Sequence, residues 1–175
     1  MLLAQVNPVG MLRWLWVSLV VIVLDQITKS IAVDHLQLYQ SMTILNGFNF
    51  TLMHNVGAAF SFLSDASGWQ RWLFTAISVV VSTAIVVWIK YLAPDQRLIA
   101  VALALILGGA IGNLCDRVML GYVIDFIDIY YGDHHWPAFN IADSAISVGA
   151  ALLILEWVVT ARQQHNTAST QPNEK

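Results

Sequence analysis

Charge is the scarcest thing in this sequence. Asp, Glu, Lys and Arg make up 11% of its 175 residues, where an ordinary soluble domain carries roughly 25%. Hydrophobic residues make up 58% and the mean hydropathy is +0.66, which excludes a soluble globular domain. No run of Lys or Arg is present and the net charge is -3, so nucleic acid is excluded as a partner. The single cysteine, Cys115, rules out an internal disulfide. The length leaves no room for several spans and a separate soluble catalytic domain, so any chemistry belongs in or at the bilayer.

What the sequence has instead is long apolar runs. Four segments, near 12–32, 72–92, 97–115 and 140–160, approach the roughly 20 residues that cross the hydrocarbon of a bilayer. The first is interrupted by Asp25 and is too long for a cleavable signal peptide, so it reads as a retained helix. Arg13, Lys90, Arg97, Arg162 and Lys175 fall on one side of the four spans, which the positive-inside rule makes cytoplasmic, together with both termini. Tryptophans near both sets of span ends fit interfacial belts. The expected organisation is one four-span domain over residues 1–162, with outer loops at 33–71 and 117–139 and a disordered cytoplasmic tail at 163–175. Asn46-Gly47, set between β-prone runs, predicts a hairpin on the outer face. Residues 122–131 add a strand or a short interfacial segment.

The few polar residues share one depth. At 1.5 Å per residue, Asp25 and Lys29 lie about 18 and 24 Å along the first span from Arg13, and Asn113 lies about 24 Å along the third from Arg97, with Asp116 and Arg117 at its outer edge. Asp143 lies about 5 Å below the entrance of the fourth span at Asn140. Ionisable groups inside spans are costly and usually face a functional cavity, so this layer is a candidate site. Each residue also has a plainer explanation. Asp25 and Lys29 are i,i+4 partners that can neutralise one another while Lys29 snorkels outward. Gly108 and Gly112 form a small-xxx-small pattern that packs helices, and Glu156 reads as an inner-end snorkeler. Adjacent His134 and His135 read as solvent-facing, so no metal is expected, and no cofactor.

Two carboxylates could carry chemistry. Asp143 heads a helix, where the dipole favours negative charge and where capping alone would account for it. The loop between spans three and four can bring Asp125 over it, with Asp128 as a competitor that spacing does not separate. Two carboxylates in a partly dry pocket share one proton, the arrangement of aspartic proteases. A serine mechanism would need a lysine base, but Lys29, the only lysine away from a span end, has Asp25 four residues before it, a spacing that favours the charged form, and G-x-S-x-G is absent. The non-enzymatic alternative is a small proton-coupled transporter subunit with Asp25, Lys29 and Asp143 as an ion relay.

DQITK (25–29), NVGAAFSF (55–62), GGAIGNLCDR (108–117), VIDF (123–126) and FNIADSAI (139–146), in this order across four spans, resemble the lipoprotein signal peptidase family of bacterial type II signal peptidases. The resemblance covers all but the extreme termini. It implies an all-α membrane protein of four transmembrane helices with a small outer-face β-sheet, acting as an intramembrane aspartyl endopeptidase. Such an enzyme removes signal peptides from prolipoproteins on the N-terminal side of a diacylglyceryl-modified cysteine. By match to the motifs, Asp125 and Asp143 form the dyad, which decides against Asp128. Asn55, Gly57, Asn113, Arg117 and Asn140 fall on positions that bind substrate or brace the site, and Asp25 and Lys29 on positions of structural support. The implied setting is the bacterial inner membrane, with the site near its outer face and the protein working as a monomer among membrane lipids. Cys115 occupies a variable position of its motif and lies mid-chain, so it is not a lipidation site.

Overall fold

The computed structural model describes residues 10–57 and 69–169, with side chains through Gln163. Among these residues four helices are long and apolar enough to cross a membrane. A 3-10 turn (Leu12–Trp14) runs into α1 (Leu15–His35), and α2 (Trp69–Tyr91), α3 (Arg97–Met119) and α4 (Ile141–Ser169) follow. Pro94 cannot continue a helix, so α2 and α3 are joined by a tight link in which the Ala93 N–H donates to Gln96 Oε1 at 2.8 Å. At 1.5 Å per residue the 23 residues of α3 span about 34 Å, enough for the hydrocarbon layer.

α3 is the central helix. It packs against α1, α2 and α4 and buries Ala100, Leu103, Leu107 and the polar Asn113 and Asp116. Small residues make this closeness possible. A Cβ on Gly112 would stand 2.6 Å from Asp25 Oδ2, one on Gly149 would stand 2.6 Å from the Ala102 carbonyl, and one on Gly109 would collide with the Ala142 carbonyl. The Gly108 and Gly112 stripe therefore packs helices, as its spacing predicts. The outward faces of α1, α2 and α4 expose large apolar side chains such as Leu19, Val80 and Ile154, a belt that suits lipid rather than water.

The end of the bundle where α1 and α3 finish carries an antiparallel sheet in the order β1-β2-β3-β4, with β1 (Ser41–Leu45), β2 (Phe48–Asn55), β3 (Val123–Tyr131) and β4 (His134–His135). Asn46-Gly47 forms the two-residue turn between β1 and β2, with Gly47 at φ +89, a conformation that favours glycine. Residues 123–131 are thus a strand rather than an interfacial segment. The β2–β3 register carries one irregularity: Phe50 pairs with Ile127 but Met53 pairs with Asp125, so β2 has one extra residue there. Such a bulge re-aims the side chains beyond it. One face of the sheet packs Leu52, Ile124 and Phe126 on Ala32 of α1, a core separate from the hydrophobic cluster of Met11, Ile85, Ile89, Leu92, Leu103 and Leu107 at the opposite end.

One boundary differs from expectation. α4 continues to Ser169, so the polar segment expected to be disordered from residue 163 is helical for its first turns, and residues 170–175 lie outside the described residues. No Gly or Pro interrupts 163–169, and Gln and Ala sustain a helix that is already nucleated.

Candidate active site

The head of α4 is capped by its own residues. Asn140, immediately before the helix, accepts the Asp143 N–H on its side-chain Oδ1 at 2.9 Å and the Ser144 N–H on its carbonyl at 3.1 Å. Asp143 reaches back, its Oδ2 accepting the Asn140 N–H at 3.3 Å. This reciprocal capping box fixes the Asp143 carboxylate in the first turn, where the helix dipole favours negative charge. The Ala142 N–H is satisfied from another helix, by Asp25 Oδ1 at 3.0 Å.

Asp125 arrives from β3. Its Oδ1 accepts from Asn140 Nδ2 at 2.8 Å, and its Oδ2 accepts from Asn55 Nδ2 at 2.9 Å. Asn55 reaches it because the bulge in β2 pairs Asn55 with Val123 and Met53 with Asp125. Asn55 also accepts the Gly57 N–H at 2.8 Å, and Gly57, at φ +91, lies so close to Phe74 that a Cβ would stand 2.6 Å from its ring. Burial pushes the Asp125 carboxyl up to about 7, with the charge of Asp143 adding to the rise and hydrogen bonds from Asn55 and Asn140 opposing it. Asn140 thus holds both carboxylates, Asp125 through its amide and Asp143 through its backbone N–H.

Behind the pair lies an ion cluster joined to it by Asn113. Asn113 Nδ2 donates to Asp143 Oδ1 at 2.7 Å, while its Oδ1 accepts from Asn140 Nδ2 at 3.1 Å and from Lys29 Nζ at 2.9 Å. Lys29 Nζ also stands 2.8 Å from Asp25 Oδ2 and 2.7 Å from Asp116 Oδ2. Snorkelling of Lys29 is therefore corrected. The residue is 2% exposed, and its three N–H donors are met by Asp25, Asp116 and Asn113. A buried ammonium so satisfied has no need of water.

Asp116 and Gln26 are the members that sequence reasoning missed. Asp116 Oδ1 accepts from Gln26 Nε2 at 3.0 Å, and its Oδ2 accepts the Ile124 N–H at 3.1 Å. The signal was spacing: Gly108, Gly112 and Asp116 form one i,i+4 stripe, and it faces Ser18, Asp25 and Lys29 on α1. Arg117 is turned elsewhere. It donates to the Asn113 carbonyl at 3.3 Å, lies 5.4 Å above the Phe74 ring, and is within electrostatic reach of Asp143 and Asp125.

Asp128 is apart from this constellation. Its carboxylate accepts from Asn49 at 3.2 Å, Thr51 at 3.0 Å and His135 Nδ1 at 2.7 Å. Burial raises its pKa, but the bonds from His135, Asn49 and Thr51 outweigh that and hold it below the usual carboxylate value. His135 of β4 stacks on Tyr130 of β3, and His54 of β2 stacks on Tyr122, just before β3. Glu156, on the distal part of α4, bonds only its neighbour Thr160, at 3.5 Å, among the described contacts. Ala58 to Phe62 of the second motif, and Asp65, lie outside the described residues.

A family model described as signal peptidase (SPase) II matches residues 17–159. The lipoprotein signal peptidase of Alteromonas mediterranea is 58% identical over 145 residues, covering 83% of this chain and 80% of that protein. The lipoprotein signal peptidase of Pseudomonas putida is 55% identical over 157 residues, covering 89% and 92%. Among solved structures, a bacterial membrane enzyme determined by the in meso method at 2.3 Å resolution superposes with a TM-score of 0.75 at 29% identity, over 93% of this chain and 94% of that one. A second, determined at 1.9 Å, gives 0.73 at 32% identity, over 83% and 92%.

Proposed function

The chain belongs to the signal peptidase II family, and from that premise we propose that it is an aspartyl endopeptidase removing signal peptides from bacterial prolipoproteins, with Asp125 and Asp143 as its dyad. The observation that carries this reading is Asn140, which bonds both carboxylates at the head of a membrane-spanning helix. Near neutral pH a pair with one value raised to about 7 holds a single proton between two acids. The ionised member takes a proton from water as that water adds to the scissile carbonyl, and the protonated member donates to the carbonyl oxygen. Collapse of the tetrahedral species breaks the C–N bond: the departing amine takes up the proton that the base had gained, and the hydroxyl formed from the carbonyl oxygen returns its proton to the other carboxylate as the C=O reforms, which restores the singly protonated pair. Asn113, Asn140 and Asn55 hold the carboxylates in place, Gly57 and Arg117 both lie against Phe74 of α2, and Asp25 and Lys29 support the head of α4.

The substrate follows from the family. It is a prolipoprotein cut on the N-terminal side of a diacylglyceryl-modified cysteine, whose acyl chains stay in the leaflet while its signal helix lies in the bilayer. In this reading the sheet-bearing end faces outward from the inner membrane, both termini are cytoplasmic, and one chain suffices for activity. An ion relay through Asp25, Lys29 and Asp143 is disfavoured, because among the described residues the core cluster at the opposite end of the bundle, built on Met11, Ile85, Ile89 and Leu103, contains no ionisable side chain. The test is cleavage of a purified diacylglycerylated prolipoprotein in detergent, beside an unlipidated control. Cleavage of the lipidated substrate alone is the expected result, and equal cleavage of both would overturn the proposed specificity.

A further inference from the structure

Asp116 touches neither carboxylate of the dyad, yet it grips the strand that carries one of them. At the Asp125 end of β3 the strand edge facing α3 and α4 has no strand partner among the described residues. Two residues further on, the edge is served by backbone, with the N–H groups of Phe126 and Ile127 donating to the Phe139 carbonyl at 3.1 and 2.8 Å. At Ile124 side chains take over. Its N–H donates to Asp116 Oδ2 at 3.1 Å, and its carbonyl accepts from Asn140 Nδ2 at 3.1 Å. The residue before Asp125 is thus clamped along one edge, its N–H by α3 and its carbonyl by the cap of α4. Asp116 is itself fixed by Lys29 at 2.7 Å and Gln26 at 3.0 Å, both from α1.

We infer that Asp116 is a positioning residue that aims Asp125 at Asp143, acting through the Ile124 N–H as a substitute for a missing strand neighbour. The inference rests on the dyad reading above. Its strength lies in where the freedom would otherwise be. Without the Asp116 bond, Asn140 is the remaining side-chain partner of Ile124 on that side among the described residues, and Asn140 already serves Asp125 and Asn113 with the same amide. A carboxylate suits the post because it accepts from an ammonium, an amide and a backbone N–H at once. The cluster also tolerates loss of this charge. Asp25 and Asp116 share Lys29, so removing Asp116 leaves the Lys29–Asp25 pair at 2.8 Å and no unpaired buried ion.

The experiment compares Asp116→Ala, Asp116→Asn and Asp125→Asn with the wild type, measuring kcat and KM for the lipidated substrate and amide exchange of the full-length protein in micelles. For Asp116→Ala we expect kcat to fall about 100-fold, the penalty of a reacting group displaced by about 1 Å, with KM within about threefold. The Ile124 amide exchanges at least about tenfold faster in that variant, while Phe126 and Ile127, whose partner is backbone, keep their protection. The amide of Asp116→Asn still offers an oxygen to the Ile124 N–H, so its kcat exceeds that of Asp116→Ala about tenfold or more. Should Asp116→Ala fail to fold, Asp116→Asn decides alone: more than about a tenth of wild-type kcat supports the inference, and less overturns it. An Asp116→Ala enzyme within about threefold of wild type, or an unchanged Ile124 exchange rate, also overturns it while leaving the dyad intact if Asp125→Asn is inactive. Retained cleavage by Asp125→Asn instead defeats the dyad reading itself.

Discussion

Asp125 and Asp128 stand three residues apart on one strand, and the protein treats them in opposite ways. Both are buried, at 2% and 5% exposure. Asp128 faces the β2 side chains Asn49 and Thr51 and the imidazole of His135, donors that stabilise its ionised form. Asp125 faces two amides that also serve other partners and a second carboxylate, so burial dominates and its carboxyl rises to about 7. The lesson is that burial alone does not make a carboxylate an acid–base group. What decides is whether the neighbours satisfy its charge. The charge of Asp128 is met by its neighbours, whereas that of Asp125 is not, which is what the proposed dyad requires of it.

The contrast breaks most visibly in activity. Asp125→Asn or Asp143→Asn should lower kcat about 1000-fold or more in a protein that still inserts and folds, because each removes an acid–base group that no neighbour can replace. Cleavage assays on the purified variants check this, and either variant retaining a tenth of wild-type activity would remove its residue from the dyad. Next in size is Asn140→Ala. It deletes the donor to Asp125 and the acceptor for the Asp143 N–H, so we expect about 100-fold less activity and a loss of about 1 kcal/mol from the α4 cap. Activity and thermal unfolding measured together separate that variant from a plain capping defect, which would lower stability alone.

Much of this arrangement is legible in the sequence. Hydropathy and helical rise place Asp25, Lys29, Asn113 and Asp143 at one depth, and Asn46-Gly47 marks the hairpin, because those signals are local. The choice between Asp125 and Asp128 is not local. It depends on a bulge in β2 and on donors that β2 and β4 bring from far along the chain. Lys29 is similar: with Asp25 as its only visible partner it reads as a side chain bound for water, because Asp116 comes from another helix. The stripe of Gly108, Gly112 and Asp116 was the available clue, and its last member is a carboxylate where the pattern asks for a small residue.

The same two aspartates sharpen the contrast through pH. Asp125 has a folded value near 7 against 3.8 for an ordinary aspartate. Between those limits the native state holds a proton that the unfolded chain has lost, so this group's contribution to stability is full below 3.8 and declines as pH rises toward 7. Activity that needs the shared proton declines as pH rises beyond about 7. Asp128 has the opposite sign. Its folded pKa is lowered, so its contribution is present above the ordinary value and is lost as pH falls through the folded one. Asp128→Asn should therefore leave cleavage within about threefold of wild type and cost only about 1–3 kcal/mol of stability at neutral pH. It should also weaken the acid limb of the stability profile, while Asp125→Asn flattens the slope between 3.8 and 7. Denaturation across that pH range reads both slopes, and an Asp128→Asn protein that lost cleavage as completely as Asp125→Asn would mean that the two aspartates of β3 belong to one site.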